Sequence, residues 1–339
     1  MDLAQFDYQL PPELIAQEAL PDRAAARMLV IDRQNQTWHD SQFRELPRYL
    51  RPTDGLIAND TRVFNSRLLG HRRGHTGKVE VFLTKPLSPD GLLWDALVRP
   101  GRKMLTGTVI DFSPDLSVTV REHGEHGHRT VELHAGGDLH EILDRVGHTP
   151  LPPYIHRPDR ADDRDRYQTL FARERGSVAA PTAGLHFTPE VLADCQATGA
   201  AFATITLHVG LGTFESLHSS TVEENRLHSE FYHVPQATVD VVRRAQRVVG
   251  LGTTAVRALE SASQGGKLQA ASGETNIFIY PGYEFRSVNA MLTNFHLPKS
   301  SLLLMVSAFG GTELMLAAYR HAVESRYRFF SYGDCMLIL

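Results

Sequence analysis

The strongest constraint on the fold is a change of texture between about residues 65 and 147. Apolar and polar residues alternate there in short bursts, at 78–84, 94–99, 109–112, 117–121 and 129–134, each closed by Gly, Pro or Asp. A two-residue period places successive side chains on opposite faces of a strand, and frequent turns at this spacing predict an antiparallel barrel or sandwich. The flanking sequence is different, with strand patterns at 28–32, 56–59, 201–209 and 247–250 and helical patterns at 189–197 and 237–245. The expected architecture is an α/β main domain built from both chain ends, residues 1–64 and 151–339, with an antiparallel β-barrel domain inserted at 65–150. A length of 339 residues accommodates two such cores.

Composition excludes several classes. The formal net charge is −4, so nothing global announces a nucleic-acid binder, although a local patch can. Cys195 and Cys335 are too few for a disulfide framework or a cysteine-rich zinc site, which suits a reducing cytoplasm. The first residues, MDLAQFDYQL, have neither a basic leader nor an apolar core, and the longest apolar run, 301–309, is too short to span a bilayer. No HExxH occurs among the 17 histidines, and His123, His126 and His128 lie in a Gly/Glu-rich turn that reads as surface loop rather than a metal site.

Two apolar segments each carry one histidine. In the first, SVAAPTAGLHFTPEVL, Thr188 and Pro189 form a helix start after His186, because Thr caps free N–H groups and Pro suits the first helical position. In the second, TITLHVGLGTFESL, His208 sits near the C-terminal end of a strand, ahead of Gly210-Leu211-Gly212-Thr213. That edge of an open α/β sheet is where ligands bind. One histidine in an apolar run is more often a hydrogen-bonded core residue; two beside Gly and Thr shift the balance toward a site.

Other stretches add candidates. Asn59-Asp60-Thr61-Arg62 closes a short strand, as a capped turn or as a site. If NRLHSEFYHV is a strand, His228 and Glu230 share a face, where a carboxylate orients or charges an imidazole. Gly250-Leu251-Gly252-Thr253-Thr254 joins a strand to a helix whose first N–H groups suit an anion, although the full GxGxxG is absent. A further strand is expected at 277–280, and Leu292-Thr293-Asn294-Phe295-His296 precedes a helix opening at Ser300-Ser301. Between Thr61 and Lys103, nine cations (Arg62, Arg67, Arg72, Arg73, Lys78, Lys85, Arg99, Arg102 and Lys103) face three acids, the balance that phosphate contacts require. Residues 150–165, Pro-rich and then charged, read as a crossing loop between domains. In the closing RYRFFSYGD, cations and aromatics interleave, as in a stacking surface or a buried terminal strand.

Taken in order, NDTRV, APTAGLHFT, TLHVGLGTF, HSE, VGLGTT, FIYPGYEF, TNFHLP and YRFFSYGD resemble the S-adenosylmethionine:tRNA ribosyltransferase-isomerase family of the queuosine pathway, over nearly the whole chain. The resemblance implies a barrel inserted in an α/β domain and a reaction with S-adenosylmethionine as co-substrate and no metal. The ribosyl group is moved onto 7-aminomethyl-7-deazaguanine at the wobble position of tRNA with a GUN anticodon and isomerised to give epoxyqueuosine, with adenine and methionine released. On this basis His186 or His208 is the expected base or acid, His228 and Glu230 a second pair, and Asp60 and Arg62 orient the ribose or base. Thr182 and Gly252 belong to the co-substrate site. Asn294 and His296 would hold adenine or the tRNA base, and Thr253 and Thr254 the methionine carboxylate. The tRNA phosphates fall to Arg62, Arg67, Arg72, Arg73, Lys78, Arg102 and Lys103, on a protein expected to be a cytoplasmic monomer. Asn65-Ser66 stands where the family usually has Pro-Ala, and Asn289 where it usually has Asp. A methyltransferase and a non-catalytic tRNA-binding relative are the alternatives.

Overall fold

A computed structural model describes residues 1–124, 127–210, 212 and 217–339. His126, Leu211, Thr213 and Phe214 lie outside the described residues. The main body is a nine-stranded mixed sheet in the order Ala271–Thr275, Glu230–Val234, Ala201–Leu207, Asp54–Asn59, Arg247–Leu251, Ala290–Asn294, Cys335–Ile338, Arg27–Asp32 and Thr37–Gln42. Its centre is parallel: Asp54–Asn59 pairs in parallel with both Ala201–Leu207 and Arg247–Leu251, and the latter with Ala290–Asn294. Asp54–Asn59 is buried along its whole length, as a central strand covered on both faces must be. One apolar cluster, including Ile57, Ile205, Val256, Met291 and Phe295, fills one side of the sheet; a second, including Leu56, Phe187, Cys195, Val249 and Leu337, fills the other.

The six strands between Arg67 and Ala135 close into an antiparallel barrel in the order His128–Ala135, Leu93–Arg99, Lys78–Pro86, Arg67–Arg72, Val109–Ser113 and Leu116–His123. Alternation is the reason: along Lys78–Pro86, Val79, Val81 and Leu83 turn inward onto Leu68, Ala96 and Val118. Both the barrel and the α/β body built from the two flanking parts of the chain match expectation.

Three expectations change. No strand forms at 277–280; the sheet edge is instead Ala271–Thr275, whose small and polar residues carry little strand preference but complete the open edge of Glu230–Val234. Strand Glu230–Val234 begins at Glu230, so His228 precedes it instead of sharing its face. His128 is no surface-turn residue: it opens a barrel strand and its Nδ1 lies 2.8 Å from Asp95. In the closing segment Phe329 is core, and the terminal strand is Cys335–Ile338.

Among the described residues no single helix is long and apolar enough to cross a membrane, and no three His, Cys, Asp or Glu side chains converge as metal ligands.

Candidate active site

The parallel strands present Asn59, Leu207, Leu251 and Asn294 at their C-terminal ends. Where Asp54–Asn59 and Ala201–Leu207 part, Asn59 replaces the lost ladder bonds: its amide donates to the Leu207 carbonyl (2.9 Å) and accepts from the Leu207 N–H (3.0 Å). The chain after Leu207 is therefore fixed where it turns outward, and His208 is the first side chain beyond it. Its Nδ1 lies 2.8 Å from Thr61 Oγ1. The Glu174 carbonyl also lies within reach of the Thr61 hydroxyl, at 3.4 Å; when the hydroxyl donates there, Thr61 accepts from Nδ1–H, and in that tautomer Nε2 keeps its lone pair. Burial lowers the His208 pKa, partly opposed by Asp60 and Glu174, and the ring is neutral at physiological pH.

Beside Nε2 the chain must be bare. The short strand Glu174–Ser177 pairs with Thr61–Val63 with a register shift between Arg175 and Ser177. Gly176 sits in that irregularity at φ +152°, and a Cβ there would lie 2.7 Å from His208 Nε2. On the ring's flank Phe231, an exposed aromatic, stacks at 5.5 Å and 24°.

His208, Gly176 and Phe231 form one wall of a cavity of about 700 Å³. The facing wall comes from the barrel and includes Trp94, Asp95, His128 and Lys85, and Lys85 bridges to Glu274 on the edge of the main sheet at 3.2 Å. Glu230 and His228 also line this cavity. Glu230 is 6% exposed, accepts the Gly210 N–H (2.9 Å) and is ion-paired with Arg257, itself 5% exposed.

At Val209 the cavity adjoins an inner pocket of about 50 Å³. Thr182, Gly252, Thr253, Thr254, Asn294 and His296 all line it, so six residues from three distant stretches of sequence come together. Gly252, at φ +98°, turns strand Arg247–Leu251 into helix Thr253–Ser261. Asn294 Oδ1 and Thr254 Oγ1 are buried with no hydrogen-bond partner among the described residues. Buried polar atoms are ordinarily satisfied, which marks both as groups awaiting a ligand or water. His296 bonds Thr293 at 3.0 Å, and burial holds its pKa down at about 3. Tyr154 and Phe330, 4.1 Å between ring centroids, provide an aromatic side to the pocket.

Two expected catalysts lie elsewhere. His186 is 4% exposed and does not line the cavity of His208; its Nε2 faces Asn294 Nδ2 at 3.1 Å. Burial, then repulsion by Arg328 and Arg23, pushes its pKa down to about 4. Asp60 is buried and spent on internal bonds to Thr204 (2.9 Å), Thr206 (2.7 Å) and Arg173 (2.7 Å). Asp60 lies near His208 in space because their strand ends adjoin, its N–H donating to the Ile205 carbonyl at 2.9 Å, and its influence on that ring is electrostatic.

The expected phosphate ligands divide. Arg67 is half-buried on Glu80 (2.6 Å) and Arg73 is held by both oxygens of Asp111 (3.0 and 2.5 Å). Arg72 contacts His75. Lys78, Arg102 and Lys103 are exposed on the barrel. Arg62 is exposed at a separate open groove that Arg23, Arg164 and Arg166 also line. Asn289 spends its amide oxygen on the Val248 N–H (2.9 Å), an acceptor role that a carboxylate fills equally well.

Sequence reading missed Arg257, Phe231 and Gly176. Arg257 sits inside a helix pattern where an Arg reads as surface, and the strand alternation around Phe231 gave no sign that a second domain faces it.

A family model described as Queuosine biosynthesis protein matches residues 3–338. The chain belongs to this family. Among queuosine biosynthesis proteins it is 58% identical to the S-adenosylmethionine:tRNA ribosyltransferase-isomerase of Solibacter usitatus, over 100% of both chains. It is 49% identical to the protein of the same name from Symbiobacterium thermophilum, again over 100% of each. The crystal structure of S-adenosylmethionine tRNA ribosyltransferase from Thermotoga maritima matches with a TM-score of 0.57 and 38% identity, covering 99% of this chain and 100% of that one.

Proposed function

We propose that this protein is an S-adenosylmethionine:tRNA ribosyltransferase-isomerase. It moves the ribosyl group of S-adenosylmethionine onto 7-aminomethyl-7-deazaguanine at the wobble position of tRNA with a GUN anticodon and rearranges it to epoxyqueuosine, releasing adenine and methionine. The observation that carries the mechanism is the junction at Val209: a cavity wide enough for a splayed base meets a mostly apolar inner pocket that carries Asn294, Thr254 and His296, with His208 beside the meeting point. Full-length similarity to proteins bearing that name supports the reaction.

The inner pocket, at about 50 Å³ too small to enclose a whole nucleoside, takes the part of the S-adenosylmethionine nucleoside that reaches past Val209 from the larger cavity, where Asn294 Oδ1 and Thr254 Oγ1 offer unused acceptors and Phe330 an aromatic face. Thr253 and Thr254 are thus assigned to the nucleoside and not to the methionine carboxylate. The tRNA base enters the larger cavity and stacks on Phe231, as unpaired RNA bases do on exposed aromatics. The sulfonium acidifies the adjoining C5′–H, and the neutral Nε2 of His208 removes that proton. The resulting imidazolium returns the proton to adenine as its glycosidic bond breaks, the aminomethyl nitrogen bonds to the ribosyl group and loses a proton, and methionine departs with the electron pair of the C5′–sulfur bond; the reactants are held in place throughout, so orientation and exclusion of water supply much of the rate. His186 and Asp60 have no part in these steps. Residues 65–150 act as one unit that closes the base cavity and holds tRNA phosphates, and the enzyme works as a cytoplasmic monomer.

Chromatography of a reaction with S-adenosylmethionine and tRNA carrying the aminomethyl base tests the assignment. Adenine and free methionine are expected; S-adenosylhomocysteine would instead identify a methyltransferase. His208→Ala should lower turnover by about 100-fold or more, the range for a lost general base. A loss of less than about threefold would remove His208 from the mechanism.

A further inference from the structure

Arg257 spends only part of its hydrogen-bonding capacity. Its Nη1 pairs with Glu230, while Nε and Nη2 are buried with no partner among the described residues. Those two groups form the side of the guanidinium that grips a carboxylate with two parallel bonds. Elsewhere in this molecule the same edge is filled: Arg247 gives Nε and Nη2 to Asp54 (3.0 and 2.5 Å), and Arg73 gives them to Asp111. An open fork on an arginine 5% exposed costs free energy that its pairing with Glu230 alone does not offset.

The surroundings favour an anion. Arg257 lines a small cavity of about 20 Å³ together with Ser301 and Leu302, the first turn of the ten-residue helix Ser301–Gly310. Ser300 caps the Leu303 N–H at 3.2 Å; the N–H groups of Ser301 and Leu302 have no acceptor within the helix. This cavity shares Gly212, His228 and Glu230 with the large cavity and Leu302 with the inner pocket. It therefore opens where the tail of a nucleoside reaching into the inner pocket would emerge.

We propose that Arg257 and the N-terminal turn of helix Ser301–Gly310 bind the α-carboxylate of the methionine part of S-adenosylmethionine, with Glu230 receiving the adjacent α-ammonium. This rests on the functional reading above. The buried Glu230–Arg257 pair is then complementary to an amino-acid zwitterion, in that each side chain meets the opposite charge of the ligand. Recognition of the tail fixes the sulfonium beside His208.

Decarboxylated S-adenosylmethionine is the probe, since it keeps the nucleoside, sulfonium and amine. The wild-type enzyme should prefer S-adenosylmethionine in kcat/KM on the order of 10- to 100-fold, the worth of hydrogen bonds to a charged group. Arg257→Lys, which retains charge without the fork, should reduce the preference to a few-fold. The double variant Arg257→Met with Glu230→Gln, which leaves no buried charge unpaired, should abolish it. KM for tRNA should stay unchanged in Arg257→Lys, since Arg257 does not line the base cavity. An unaltered preference in folded variants overturns the proposal. If neither variant folds, calorimetric titration of the wild type with the two compounds decides: equal affinities overturn it, tighter binding of the carboxylate form supports it. Wild-type enzyme that releases neither adenine nor methionine would instead overturn the functional reading, and the titration would still test Arg257.

Discussion

Replacing Gly176 with Ala probes the space beside His208 with one carbon atom. The added Cβ would stand 2.7 Å from Nε2, 2.8 Å from Cε1 and 2.9 Å from Cδ2 of His208. Relaxed contacts between such atoms lie near 3.5 Å or beyond, so ring or strand must yield by about 0.7 Å. The ring has little freedom, being bonded to Thr61 at 2.8 Å and stacked on Phe231. A misplacement of about 1 Å at a reacting centre costs about 100-fold in rate, and the near-equal distances place the added methyl group over the face of the ring, where it displaces the imidazole. The expected result is a fall in kcat of about 30- to 100-fold, with S-adenosylmethionine affinity within about threefold because the inner pocket is untouched. The φ of +152° adds a stability cost of about 1–3 kcal/mol, visible as a lowered melting temperature. Single-turnover adenine release, equilibrium binding and a thermal melt separate these effects. Gly265→Ala, where an added Cβ meets nothing within 4 Å, is the control. Wild-type turnover with an unshifted melt would refute both the packing at Nε2 and the assignment of the base.

Stability should fall on the acid side. His186 and His296 have folded pKa values near 4 and 3 against 6.5 when unfolded, so below pH 6.5 the unfolded chain takes up protons that the folded one refuses. At pH 5 each contributes a loss of about 2 kcal/mol relative to pH 7.5, and the loss levels off only below the folded values; urea titrations should show it, with a shallower drop in His186→Asn, and a flat profile from pH 7.5 to 5 would contradict it. Arg102→Glu with Lys103→Glu should weaken tRNA binding and reduce the salt slope by about 1–2 while leaving S-adenosylmethionine binding intact, because these cations are exposed and have no carboxylate partner among the described residues. Arg73→Glu should affect salt dependence less, since Asp111 already neutralises Arg73, and filter binding at several salt concentrations distinguishes the two.

Local periodicity carried most of the fold. The helix from Pro189 to Ala197 was legible because Thr188 caps it and Gly199 stops it, both short-range effects. Strand 277–280 failed because the apolar alternation of Ile277 and Ile279 serves burial without pairing, while Ala271–Thr275 pairs only because a neighbouring edge is available. The inner pocket was legible for a similar reason: Gly252, Thr254 and Asn294 occupy strand ends or helix starts, and parallel strands bring those ends to one edge. His186 and His208 show the limit. Both sit in apolar runs beside Gly, yet one faces Asn294 within the core and the other an open cavity, a difference set by the elements covering each.

The sequence by itself determined most of the elements, the insertion of a barrel and the family, since these depend on residue order and on the two- and 3.6-residue periods of the backbone. Tertiary structure alone decided which charges are spent and which are open. Asp60 and Arg73 are consumed by internal partners, whereas Arg257 keeps a fork with no partner among the described residues and His208 faces an open cavity. Hydrogen-bond satisfaction depends on distances between residues far apart in the chain, and no local pattern encodes them.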